Sequence, residues 1–225
     1  MTCSTTSFDF TQACPAEISF AGDATCQPGG VLLTPGVGRA VGAMWLTTPY
    51  DANTATSFSL EVTLQSIPVS QSGDGFAIAM QADPRGVNAL GAAGNQLGYG
   101  GTTEKIAPSL ALEIDTTGDA DEPTPHLRFD EDGIVVTGST TEDVLIANVD
   151  IASGDPFTVW IDYDDQSFAA YVAPDGAAKP ASPLATMTGS IKEITLGELR
   201  FGITAANGSR FGEQRVLRWN LDLVP

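Results

Sequence analysis

The stretch Ser109-Leu110-Ala111-Leu112-Glu113-Ile114-Asp115 decides how this chain is read. In an extended strand successive side chains point to opposite faces, so Leu110, Leu112 and Ile114 share one apolar face. Glu113 and Asp115 then stand together on the other. Their Cα atoms would lie about 7 Å apart. Like charges side by side on a sheet are tolerated when solvated, partly protonated or neutralised by a cation. The residues that follow supply more of the same chemistry: Asp119, Asp121 and Glu122, then His126, the chain's single histidine, eleven residues after Asp115. Oxygen-rich ligands suit Ca²⁺, and a carboxylate-plus-imidazole set suits Mn²⁺, Zn²⁺ or a similar ion.

Outward from this strand the same period of two recurs. Phe58, Leu60, Val62 and Leu64 alternate with Ser59, Glu61 and Thr63, and Leu217, Trp219, Leu221 and Leu223 alternate with polar neighbours. Further strands are predicted at Gly75 to Gln81, Phe157 to Tyr163, Ser167 to Val172 and Leu199 to Ala205. Glycine and proline, 24 and 14 residues, punctuate the joints, and no amphipathic helix is evident. Many short strands with turn-rich joints predict an all-β sandwich of antiparallel sheets, about a dozen strands at the usual spacing. No composition shift marks a linker in the 225 residues, so one domain, 1–225, is expected.

The formal charge of −18 disfavours nucleic acid or an anionic membrane surface as partner and favours cations. No run reaches the roughly 18 to 20 apolar residues of a membrane helix, so membrane insertion is not expected. Met1 to Phe10 lacks the basic and apolar regions of a signal peptide, which suggests a domain excised from an exported protein. Cys3, Cys14 and Cys26 have no zinc or redox spacing. Cys14 with Cys26 is the preferred disulfide, worth about 3 kcal/mol at most on the chain-entropy view.

The chain also resembles the legume-type lectins, nearly end to end and in the family's order. Ser7-Phe8-Asp9-Phe10 is similar to the opening strand, and Gly22-Asp23-Ala24 with Leu33-Thr34 to the second segment. Gly38-Arg39-Ala40-Val41 and Ser57-Phe58-Ser59-Leu60 continue it. Asp74-Gly75-Phe76-Ala77 resembles the sugar-binding aspartate motif, and Ala111-Leu112-Glu113-Ile114-Asp115-Thr116 the metal strand. Val159-Trp160-Ile161-Asp162-Tyr163, Phe201-Gly202-Ile203-Thr204-Ala205-Ala206-Asn207-Gly208 and Leu217-Arg218-Trp219-Asn220-Leu221 resemble later strands.

The resemblance implies a concanavalin-like jelly-roll β-sandwich that binds carbohydrate through Ca²⁺ and a second ion, Mn²⁺ or another transition metal. Glu113, Asp115 and His126 would ligate the transition metal, with Asp115 bridging to Ca²⁺. Asp121 or Glu122 would join both ions, Glu122 being favoured because Pro123 follows it. The carbonyl of Thr117 and the side chain of Asp119 would complete Ca²⁺. Sugar would be held by Asp74, by backbone N–H groups near Gly94 and Asn95, by Ser209 and Arg210, and through Asp119. A cis peptide at Gly73–Asp74 is implied too. The partners would be glycans, at a cell surface or outside the cell, in recognition or adhesion; a homodimer is open.

Two departures bear on the sugar. Asp119 stands where the family usually has Asn, and an ionised Asp cannot donate a hydrogen bond. Thr117 stands where the family tends to carry a stacking aromatic. A metal-stiffened structural or adhesive module with a vestigial sugar site is therefore the competing reading. Glu113-Ile114-Asp115 also resembles the catalytic strand of β-glucanases of the same architecture. Those enzymes need a second glutamate four or five residues on, where this chain has Thr117 and Gly118. Without two carboxyls at about 5 to 5.5 Å, retaining hydrolysis has no nucleophile, so no enzyme is expected.

Overall fold

The computed structural model describes residues 4–54, 56–117, 125–136 and 142–224. In chain order the strands are β1 (Ser4–Asp9), β2 (Ile18–Gly22), β3 (Thr25–Gln27), β4 (Gly30–Thr34), β5 (Val41–Leu46), β6 (Tyr50–Asp51), β7 (Ser57–Pro68) and β8 (Gly75–Gln81). They continue with β9 (Ser109–Asp115), β10 (His126–Glu131), β11 (Val144–Leu145), β12 (Phe157–Tyr163), β13 (Ser167–Pro174), β14 (Ala185–Thr188), β15 (Glu198–Ala206) and β16 (Gly212–Val224). One short α-helix, α1 (Ile191–Thr195), interrupts them among the described residues. That helix is far too short to cross a membrane, and no described helix is long and apolar enough to do so.

Two antiparallel sheets form. One runs β14-β13-β12-β7-β16-β4-β3, with β1 also pairing β16; the other runs β11-β10-β9-β8-β15-β5-β2, with β6 pairing β15. The alternation explains the packing between them. Phe58, Leu60, Val62 and Leu64 of β7 and Trp219, Leu221 and Leu223 of β16 meet Phe76, Ile78 and Met80 of β8 and Leu110, Leu112 and Ile114 of β9 in one core. Each such large apolar side chain contributes about 1.5 to 3 kcal/mol by leaving water. The sequence places Leu217 on the same face as Trp219, but the register with β7 shifts between Val216 and Arg218. Leu217 is the extra residue of that bulge, and Val216 takes its place in the core. The preferred disulfide, Cys14–Cys26, is formed and ties the segment before β2 to β3.

The second sheet is covered on its other face as well, which the strand pattern alone does not predict. Residues 82–108, between β8 and β9, form a loop with its own small core: Ala89, Leu97, Tyr99 and Ile106 pack on Trp45, Ala77, Ala79 and Ala111. Trp45 Nε1 donates to the Ala89 carbonyl at 2.9 Å, and the Tyr99 hydroxyl lies 2.8 Å from Ser109 Oγ. A loop this long stays ordered when its own side chains pay back the chain entropy. Asp83 and Arg85 organise its base. Arg85 donates to Asp83 and to the carbonyls of Leu90, Glu104 and Lys105, while Asp83 also accepts from the Ala107 N–H. The result delivers Gly94 to the end of the sandwich where β8 and β9 meet.

Candidate carbohydrate and metal site

Antiparallel pairing of β9 with β10 sets His126 opposite Asp115 and Arg128 opposite Glu113. Ligand atoms of Glu113, Asp115 and His126 all lie within 4.8 Å of one another. Because these residues are 2%, 5% and 2% exposed, a solvated acidic surface is ruled out for them. Around them the structure gathers residues that sequence reasoning missed. Arg128 donates from Nη2 to Glu113 Oε2 at 2.5 Å, from Nε to Asp130 Oδ1 at 2.8 Å and from Nη1 to Asp143 Oδ1 at 2.6 Å. His126 Nε2 stands 3.9 Å from that same Asp143 oxygen. Period two along His126-Leu127-Arg128-Phe129-Asp130 puts His126, Arg128 and Asp130 on one face, a signal that could have found two of them.

Charge decides what such a cluster needs. Three carboxylates, Glu113, Asp130 and Asp143, pair with one guanidinium and a fourth, Asp115, stands beside Glu113, so ionisation of all four leaves three negative charges in excess in a buried space. Uncompensated buried charge is expensive, and carboxyls respond by taking up protons or cations. Burial, followed by the hydrogen bond to Asp130 and its charge, pushes the Glu113 carboxyl up to about 10. A divalent cation would relieve the same excess, and the carboxylate-imidazole donor set fits one. Thr117 sits beside this centre: its N–H donates to Asp115 Oδ1 at 2.7 Å, and its Oγ1 is buried with no hydrogen-bond partner among the described residues. Asp119, Asp121 and Glu122 lie outside the described residues.

The aspartate motif is bound to the same strand. Gly75 pairs with Asp115, and a side chain at Gly75 would lie 2.2 Å from the Ile114 carbonyl, so only glycine lets β8 approach there. Thr116 N–H donates to the Asp74 carbonyl at 2.9 Å, and Thr116 Oγ1 donates to the Gly73 carbonyl. Contrary to expectation, the Gly73–Asp74 peptide is trans, the form strongly preferred before a non-proline residue; among the described residues the cis bond is Ala107–Pro108.

Two glycines frame the Asp74 carboxylate. A Cβ built on Gly94 would stand 3.5 Å from Asp74 Oδ2, and one on Gly208 only 2.5 Å from it. The two loops meet through Gly94 N–H, which donates to the Asn207 carbonyl at 3.2 Å. Asn207 is fully buried, and its Nδ2 donates to the carbonyls of Pro35, Val37 and Gly212, fixing the loop that follows β15. Asp74 and Gly94 are thus brought together, while Asn95, Ser209 and Arg210 occupy exposed positions on the flanking loops. Gly208 and Asn207 were visible in sequence only as part of a strand motif.

The solved structures that resemble this fold include lectin I-B4 of Griffonia simplicifolia in its metal-free form, at TM-score 0.78 and 20% identity, covering 98% of this chain and all of that one. The lectin from Bauhinia forficata in complex with GalNAc aligns at TM-score 0.77 and 21% identity, over 98% of this chain and 99% of that one. Among curated sequences, the probable L-type lectin-domain containing receptor kinase I.2 of Arabidopsis thaliana is 30% identical over 207 residues, 84% of this chain and 31% of its own length. Its relative I.8 is 25% identical over 96% of this chain and 35% of its own. The chain therefore spans about a third of the length of the curated relatives it matches. The legume lectin domain model matches residues 5–224, nearly the whole chain, and the chain therefore belongs to the legume lectin domain family.

Proposed function

We propose that the chain is a Ca²⁺-dependent carbohydrate-binding domain, without catalysis, in which a Ca²⁺ and a transition-metal ion together order the loops that hold the sugar. Glu113, Asp115 and His126 would hold the transition metal; Asp115, Thr117, Asp119 and Asp121 or Glu122 would hold Ca²⁺. The ions supply fixed positive charge and take no part in bond making. Asp74 accepts hydrogen bonds from two sugar hydroxyls, as an ionised carboxylate can, and the backbone around Gly94, Asn95, Ser209 and Arg210 closes the site.

The single observation that carries this reading is the Gly75–Asp115 pairing together with the Thr116–Asp74 hydrogen bond. It makes the candidate metal strand and the candidate sugar aspartate one mechanical unit, so order in one is order in the other. The site's place at an end of an exported domain, outside the cell, is part of the same proposal and accords with the Cys14–Cys26 disulfide.

The experiment is a glycan array on the wild type with Ca²⁺ and Mn²⁺, repeated after EDTA, alongside Asp74→Ala and Asp115→Ala. Binding is expected for the metal-loaded wild type alone. A folded, metal-loaded protein that binds no glycan would instead establish the structural module that Thr117 and Asp119 favour. Release of reducing sugar from a glucan would overturn both.

A further inference from the structure

We propose that the Arg128 guanidinium is an internal cation that holds the carboxylates of the metal centre together when the transition metal is absent and competes with that ion for Glu113 when it is present. The proposal rests on the reading that Glu113, Asp115 and His126 ligate a metal. It goes beyond that reading in assigning a part of the ion's electrostatic work to a residue of the chain.

Arg128 divides its donors among three carboxylates on three segments: Glu113 on β9, Asp130 on its own β10, and Asp143 just before β11. A further bond runs from Nη2 to the Val136 carbonyl at 3.0 Å. All four ionic side chains are 4% exposed or less. A guanidinium cannot shed its charge by deprotonation, unlike a buried lysine, so the positive charge is permanent. Nε, Nη1 and Nη2 are all engaged, so the side chain is held in place by partners on several segments at once. It therefore does in the metal-free protein what an ion does elsewhere, drawing carboxylates of neighbouring strands to one point.

The same geometry sets up the competition. A transition ion bonds a carboxylate oxygen at about 2.0 to 2.2 Å and takes up the electron density that Nη2 now uses on Glu113. Two cations sharing one carboxylate also repel, and in a buried space water does little to screen them. Metal entry must accordingly loosen or redirect the Arg128–Glu113 bond while Asp130 and Asp143 retain the guanidinium. Those two carboxylates are what make the exchange feasible, because the displaced charge never becomes unpaired.

The test uses wild type, Arg128→Met and Arg128→Lys, each dialysed against EDTA, melted, and titrated with MnCl₂ by calorimetry at constant Ca²⁺. Metal-free Arg128→Met is expected to melt below the metal-free wild type, to bind Mn²⁺ about tenfold tighter or more, and to gain more in melting temperature from Mn²⁺ than the wild type does. Arg128→Lys, which keeps the charge but cannot fork, should fall between. If Arg128→Met folds only with Mn²⁺, that rescue supports the exchange directly; if it does not fold at all, tighter Mn²⁺ binding by Arg128→Lys decides in favour. Mn²⁺ bound by the wild type but no tighter by either variant overturns the proposal alone and leaves Arg128 a purely structural tie. No Mn²⁺ bound by any of the three overturns the metal reading and the proposal with it.

Discussion

At the residue scale the proposed sugar site turns on space beside one carboxylate. Gly208 and Gly94 both face Asp74, but for different reasons. Gly94 has φ 74°, a conformation that costs an L side chain about 1 to 2 kcal/mol, whereas its added Cβ would be an ordinary neighbour at 3.5 Å. Gly208 is under no such backbone demand, and a Cβ there would meet Asp74 Oδ2 at 2.5 Å. The two substitutions should therefore separate. Gly94→Ala is expected to lower stability by about 1 kcal/mol, and Gly208→Ala to leave the melting temperature nearly unchanged while weakening glycan binding about tenfold or more. Thermal melts and glycan titration of both variants check this, and equal loss of binding with equal loss of stability would mean that Asp74 is not where sugar contacts the protein. The clustering of Glu113, Asp115 and His126 was legible in sequence because strand alternation and the order of these residues along the chain are local. Asp143 was not, since only the β10–β11 pairing brings it within reach, and a charge in an irregular stretch reads as solvated.

At the element scale the strands were legible and the long loop was not. Gly75 to Gln81, Ser109 to Asp115 and Phe157 to Tyr163 fall where alternation puts them because each is flanked by turn residues and half of its face is core. Residues 82–108 have no period, yet they cover the second sheet, because their order comes from Arg85 and a few apolar contacts rather than from a repeating pattern. Arg85→Ala should expose this. Burial raises the Asp83 pKa, but the Arg85 hydrogen bond and the N–H groups of Arg85 and Ala107 outweigh it, so the carboxyl titrates below the usual 3.8. A depressed acid stabilises the fold above its unfolded value and loses that contribution as pH falls through its lower folded value. Removing Arg85 is expected to cost about 2 kcal/mol near neutrality, less than a fully buried pair because the guanidinium is partly exposed. The gap between wild type and variant in urea unfolding should narrow when the comparison moves from about pH 6 to about pH 3. A gap independent of pH would mean that Asp83 contributes nothing through its charge. Since this loop carries Gly94, glycan binding should weaken alongside.

At the scale of the whole molecule the balance of −18 is a load on the fold that two different kinds of cation can lighten. Diffuse ions screen it: the Debye length falls from about 30 Å at 10 mM salt to about 8 Å at physiological strength, shorter than a domain's width. Of the ten Lys and Arg residues, Arg85, Arg128, Lys179, Lys192, Arg200, Arg215 and Arg218 already sit in ion pairs with local carboxylates, so much of the remaining surface repels itself. Raising NaCl from about 10 to about 150 mM in EDTA should thus raise the melting temperature by a few degrees, since 1 kcal/mol corresponds to about 2 to 4 °C at this size. CaCl₂ at matched ionic strength should raise it further, because an ion that binds the native state adds about 2.7 kcal/mol at a hundredfold excess over its dissociation constant. The two effects part at one residue. In Asp115→Ala the NaCl increment should persist, since one charge in eighteen hardly alters self-repulsion, and the extra Ca²⁺ increment should vanish. If CaCl₂ and NaCl act alike on the wild type at equal ionic strength, the acidic surface alone accounts for the ion dependence, and the centre around Asp115 holds no Ca²⁺.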